Sequence, residues 1–437
     1  MTRIRAAARH ISLLWLGSLG AAGLAFTAQV LLARHLPTAD YGSLAAALAT
    51  VNLAAPLAAF GIGAYWLRAF GAEGWQARRW LRPSLRFIAL STAAAAALVA
   101  LWAGYASPDP LSRAVLLWLL PLLAAQAAIE LVNARFQLEE RYSELALWQL
   151  LSHGGRFLVV LAAVALGLGL LPITIGYAAV AVAIVAGAVW LLGGMLGGRL
   201  RLRGHPAADA LAPVPAPVSI RQVPQQAWPF ALGAAFYLIY FQSDIVLLHW
   251  LSGAEAAGIY NVAFTVLAAV YLLPGAIYQK YLLPKLHRWA EHDRDRFLAV
   301  FRTGNGSMLL LGLIALLGLA LAAPRAVPWL FGPQYAPAGA LLLVLALAVP
   351  ARFLSTSVGG VLVTRQHMRR KVLYMGAVAV FNVGLNLLLI PPFGYYGAAV
   401  ATLLSEILLL ALYLLGARRH IFGAAAWRGW NIRLKTP

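Results

Sequence analysis

The chain has 437 residues, of which 62% are hydrophobic and only 11% charged, with a formal net charge of +20 and no cysteine. An ordinary soluble domain carries roughly a quarter charged residues, so the composition excludes a water-exposed fold and defines an integral membrane protein. The missing cysteines exclude disulfides and thiolate metal sites.

A hydrocarbon core of about 30 Å takes about 20 helical residues to cross. Apolar runs of that length predict twelve helices, near 11–33, 41–67, 84–104, 113–134, 144–168, 174–196, 227–251, 257–281, 301–323, 338–363, 372–391 and 397–417. The first run lacks a small-residue cleavage site and is expected to stay as a membrane helix.

Of the 34 Lys and Arg residues, Arg34, Arg113 and Arg325 lie in odd-numbered gaps, and Arg156 and Arg352 lie deep inside apolar runs. All the others fall at the amino terminus, in even-numbered gaps or in the carboxyl tail. Cations are retained on the cytoplasmic face during insertion, which predicts that both termini are cytoplasmic. Their scatter through short loops, rather than on one folded module with aromatic platforms, argues against a nucleic-acid partner.

The longest polar gap divides the helices six and six. It predicts an N-terminal six-helix lobe over 1–200, a cytoplasmic Pro-rich linker over 201–226, a C-terminal six-helix lobe over 227–417 and a cytoplasmic basic tail over 418–437. Arg199, Arg201 and Arg203 precede Pro213, Pro215 and Pro217 there, the composition of a semi-rigid spacer. An internal repeat agrees with that division. Leu36, Asp40 and Gly42 after the first helix match Leu251, Glu255 and Gly258 after the seventh, and GYAAVA at 176–181 matches GAAVA at 397–401. Six is an even number, so the halves are parallel repeats, expected to flank a central cavity. The short gaps leave no room for a soluble catalytic domain, and no phosphate-cradling loop, His-Glu-x-x-His helix or nucleophile elbow is present. The expectation is therefore a non-enzyme without metal or cofactor.

Four segments carry a family likeness: LARHLPTADYG at 32–42, DIVLLHWLSGAEAAGIYNVA at 244–263, LFGPQYAP at 330–337 and NLLLIPPFGYYGAAVATLLSE at 386–406. Through them the chain resembles the polysaccharide-flippase, Wzx-like branch of the multidrug/oligosaccharidyl-lipid/polysaccharide exporter superfamily. The resemblance implies twelve helices in two six-helix lobes forming a V. It also implies the movement of a polyprenyl-diphosphate-linked oligosaccharide across the bacterial inner membrane by a monomer among membrane lipids. The rivals are a multidrug-cation antiporter of the same superfamily, which calls for carboxylates around its cargo, and a lipid II flippase, which commonly has more than twelve helices. A membrane glycosyltransferase or polymerase needs a larger outer loop than any here.

Ionisable groups inside a bilayer cost about 3 kcal/mol on insertion scales and so need a partner or a wet cavity. Arg156 and Arg352 each fall halfway along a predicted helix, and a guanidinium offers a planar fork that suits a diphosphate headgroup. The competing reading is an ion pair with Glu130 or Asp244. Asp244 is a candidate for ion coupling or gating. Glu406 is another, or it bonds neighbours such as Asn382. Glu130 and Asn133 share a helical face with Gln126, and with Asn52, Gln149 and His153 they either wet a vestibule for sugar hydroxyls or bond helix to helix. Tyr237, Tyr240 and Phe241 offer faces for sugar rings. Trp75, Trp80, Trp427 and Trp430 read as interfacial anchors, and Pro274 and Pro350 as bends.

Overall fold

The computed structural model describes residues 2–107, 109–202, 216–275, 278, 282, 286, 289, 290, 292–363 and 367–430. Arg203, Pro213, Pro215 and the tail beyond 430 lie outside the described residues. Among the described residues there is no strand.

The first half comprises α1 (Thr2–His35), α2 (Thr38–Ala59), α3 (Ile62–Glu73), α4 (Leu81–Ala106), α5 (Pro110–Trp118), α6 (Pro121–Leu138), α7 (Tyr142–Leu166) and α8 (Leu170–Gly194). The second comprises α9 (Gln222–Ser252), α10 (Ala254–Gly275), α11 (Arg294–Phe331), α12 (Ala336–Ala346), α13 (Val349–Val361) and α14 (Met368–Ala417). With α2 and α3, α5 and α6, and α12 and α13 each taken as one pass, and α14 divided at Gly394, the described elements give the expected 12 passes.

The predicted boundaries need correction where the backbone breaks. The run at 41–67 is interrupted by Phe60 (φ 51°) and Gly61 (φ 64°), a left-handed pair that ends α2 and starts α3. Gly61 is free to adopt that conformation, and the space of a Cβ there is already filled by Phe230. The run at 338–363 bends by 48° between α12 and α13, with Pro350 in the first turn of α13, where its missing N–H costs nothing. The last two predicted helices form one 50-residue element, kinked at Gly394 (φ 55°) after Pro391 and Pro392.

Large apolar side chains are divided between core and lipid. Trp66, Ile62 and Phe70 are fully buried on α3, while Leu101 is 71% and Leu321 79% exposed. Such exposed apolar surface is expected where hydrocarbon replaces water.

The chain divides into two compact units, Met1–Leu36 with Ala47–Ala235, and Pro37–Ala46 with Phe236–Pro437. The division falls inside α9, and the first turns of α2 belong to the second unit. Within that unit three of the family-like segments meet. Gly42 packs on the carbonyl of Ala254 and Gly258 on the carbonyl of Thr38, approaches that any Cβ prevents. Asn261 donates to the Tyr41 hydroxyl at 2.8 Å, and the Tyr41 ring meets Tyr335 edge-on at 5.9 Å between centroids.

Candidate functional site

The bend before α13 places Arg352 one turn into that helix, its N–H bonded to the Ala348 carbonyl at 2.9 Å. Its guanidinium is enclosed by four aromatic rings, with centroid distances of 5.7 Å to Tyr237, 5.7 Å to Tyr240, 5.5 Å to Phe241 and 5.2 Å to Tyr271. Tyr237, Tyr240 and Phe241 lie on one stripe of α9, and Tyr271 comes from α10. Ring faces are negative, so the box holds a cation that apolar surroundings alone would reject.

Polar contacts fix the orientation of the fork. Arg352 Nη1 donates to the Tyr240 hydroxyl at 2.9 Å and to Glu406 Oε1 at 3.4 Å, and Nη2 donates to the Tyr237 hydroxyl at 3.4 Å. Glu406 is only 1% exposed at its side chain and Arg352 13%, so the pair is accessible from the arginine side. Among the described residues, two of the five guanidinium N–H groups remain uncommitted, and Glu406 Oε2 and the Tyr271 hydroxyl find no hydrogen-bond partner. The arrangement can accept an anion at the open side of Arg352, in competition with Glu406.

One turn further along α9, Asp244 is buried among neutral donors. Thr402 and Tyr260 reach Oδ2 at 2.5 and 2.7 Å, and Asn386 reaches Oδ1 at 2.6 Å. No cation pairs with it among the described residues. The ion pair expected between an intramembrane arginine and Asp244 or Glu130 is therefore replaced by Arg352 with Glu406. The expected bond from Glu406 to Asn382 is also absent among the described contacts, since Asn382 accepts from Ser243 at 3.1 Å and from Asn386 at 3.1 Å.

In the first unit, Glu130 Oε1 accepts from the Gly63 N–H at 3.1 Å, which caps the start of α3 behind the Phe60–Gly61 break. Asn52 accepts from Gln126 at 2.7 Å, and Asn133 Oδ1 is buried without a partner among the described residues. His153 and Arg156 lie one turn apart on α7, with His153 exposed and Arg156 half-buried. Arg156 makes no ion pair among the described residues, and its Nε lacks an acceptor. The structure thus gathers Arg352, Tyr240 and Glu406 into one site, sets Asp244 beside it, and ties Glu130 of α6 to the start of α3. Sequence reasoning does not single out Tyr271, Tyr260, Thr402 or Asn386. The presence of Tyr260, Thr402 and Asn386 in family-like segments is the available signal for those three.

Long apolar helices, a bent α12–α13 pair and charged groups buried in apolar passes define a multi-pass membrane protein. The particular family follows from the sequence: residues 7–289 match the family described as "Polysaccharide biosynthesis protein", to which the chain belongs. No curated protein matches it. Among solved structures, the lipid II flippase MurJ in an inward closed conformation matches with a TM-score of 0.72 at 12% identity, covering 93% of this chain and 87% of that one. An inward-facing multidrug resistance MATE transporter of the MOP superfamily matches at 0.67 and 12% identity, covering 91% and 93%. An outward-facing multidrug resistance MATE transporter of that superfamily matches at 0.58 and 13% identity, covering 94% of each chain. At these identities the likeness is one of fold.

Proposed function

We propose that the protein is a flippase that carries a polyprenyl-diphosphate-linked oligosaccharide across the bacterial inner membrane by alternating access, with both termini in the cytoplasm. The observation that carries this reading is Arg352, an always-charged fork held inside an apolar span with N–H groups to spare. Membership in a polysaccharide biosynthesis family supports a glycan cargo.

In this reading the diphosphate takes the free side of Arg352 while Tyr237 and Phe241 offer faces to sugar rings. Arg156 supplies a second cation in the first unit, with Asn52, Asn133 and His153 meeting hydroxyl groups. Asp244 acts in coupling or gating. The work consists of hiding polar groups from hydrocarbon, so no catalytic group, cofactor or partner subunit is required. The test is reconstitution with a lipid-linked oligosaccharide: wild type flips it and Arg352→Ala does not, whereas undiminished flipping by a properly inserted Arg352→Ala variant contradicts the proposal.

A second reading, export of an organic cation, is favoured by the buried carboxylates of Asp244 and Glu406. Saturable binding of a cationic dye that Glu406→Gln abolishes and Arg352→Ala leaves intact selects it over the first.

A further inference from the structure

A separate concentration of positive charge lies in the first unit, where the 3₁₀ turn Gly74–Trp80 runs into α4. A cavity of about 430 Å³ opens there, lined by Arg78, Arg79 and Arg82 and by apolar groups including Leu81, Leu196 and Pro217. That volume lies in the range of small-ligand sites.

The cations are only partly compensated. Glu73 accepts from Arg79 Nη2 at 3.0 Å and from the Trp80 indole at 3.3 Å, so Trp80 is held inside the unit rather than at the lipid interface. Arg78 stacks over Trp75 at 4.5 Å, and neither Arg78 nor Arg82 forms an ion pair among the described residues. The Nε–H groups of Arg78 and Arg79 are buried without an acceptor among the described residues. Surplus guanidinium charge against an apolar wall is the complement of a phosphate attached to an acyl chain.

We propose that this cavity holds the phosphate headgroup of an acidic phospholipid, with the acyl chain leaving along Leu81, Leu196 and Pro217. On the orientation proposed above, the cavity lies at the cytoplasmic membrane edge, where anionic lipids meet basic pockets between helices. The site is independent of Arg352 and of the cargo.

The test uses the full chain in nanodiscs of phosphatidylcholine containing a minor fraction of phosphatidylglycerol, with retained lipids counted by native mass spectrometry. Arg78→Gln with Arg82→Gln is expected to lower phosphatidylglycerol retention about five-fold for each arginine removed, with phosphatidylcholine unchanged. Arg418→Gln with Arg419→Gln, cations elsewhere on the basic face, is expected to retain as much as wild type. Equal retention by wild type and the Arg78/Arg82 double variant overturns the proposal, as does an equal loss from both double variants. So does saturable binding of inorganic phosphate by the protein in phosphatidylcholine alone at the affinity of the lipid. Should the double variant fail to insert, Arg82→Gln alone, at an exposed position, is expected to show the single five-fold loss, and unchanged retention counts against the site.

Discussion

Arg352 in the second unit is enclosed by four rings and bonded to Glu406 and Tyr240, whereas Arg156 in the first has an exposed histidine one turn away and no ion pair among the described residues. Both interrupt apolar helices, yet only one has its charge compensated within its own unit. A compensated arginine is held in a fixed geometry and exchanges one anion for another. An uncompensated one depends on water or on an arriving anion for its stability in the membrane. In the proposed function, the same residue type is a preorganised receptor in one unit and an open attractor in the other.

The largest effect that sharpens this contrast is on stability. Arg352→Ala leaves Glu406 buried without its cation and is expected to cost about 3–5 kcal/mol, read as a lower melting temperature in detergent. Adding Glu406→Ala removes the stranded charge and is expected to restore most of that loss. A single variant as stable as wild type contradicts the assigned pairing.

Gly42→Ala drives a Cβ into the Ala254 carbonyl and is expected to cost about 1–3 kcal/mol in the second unit. Unfolding monitored by tryptophan fluorescence reads that loss. Glu130→Ala removes the acceptor for the Gly63 N–H and is expected to cost about 0.5–2 kcal/mol, with Glu130→Gln largely retaining stability. Glu130→Ala with wild-type melting shows that the cap contributes nothing. The smallest effect is that of Arg156→Ala, expected to stay within about 0.5 kcal/mol of wild type while flipping slows. A loss as large as that of Arg352→Ala reveals a compensating partner and removes the contrast.

Hydropathy and charge made the passes legible, because insertion acts on runs of about 20 residues that can be read one at a time. Arg352 was legible for the same reason, as was the stripe of Tyr237, Tyr240 and Phe241 at helical spacing. Its pairing with Glu406 was not, since 54 residues separate them and packing of α13 against α14 decides it. Asn382 was an equally good partner on composition, and only the fold directs it to Ser243 instead. The Phe60–Gly61 break was hidden by an apolar run that continues across it. The assignment of Pro37–Ala46 to the second unit depends on the close approach of Gly42 and Gly258, whose place in the internal repeat marks two equivalent turns without showing that they touch.

The most direct test of the central claim is flipping of a lipid-linked oligosaccharide by the Arg352→Ala/Glu406→Ala double variant in proteoliposomes. Restored stability separates loss of the anion receptor from loss of the fold. The account predicts a double variant that melts close to wild type and does not flip. A double variant that flips at the wild-type rate contradicts it.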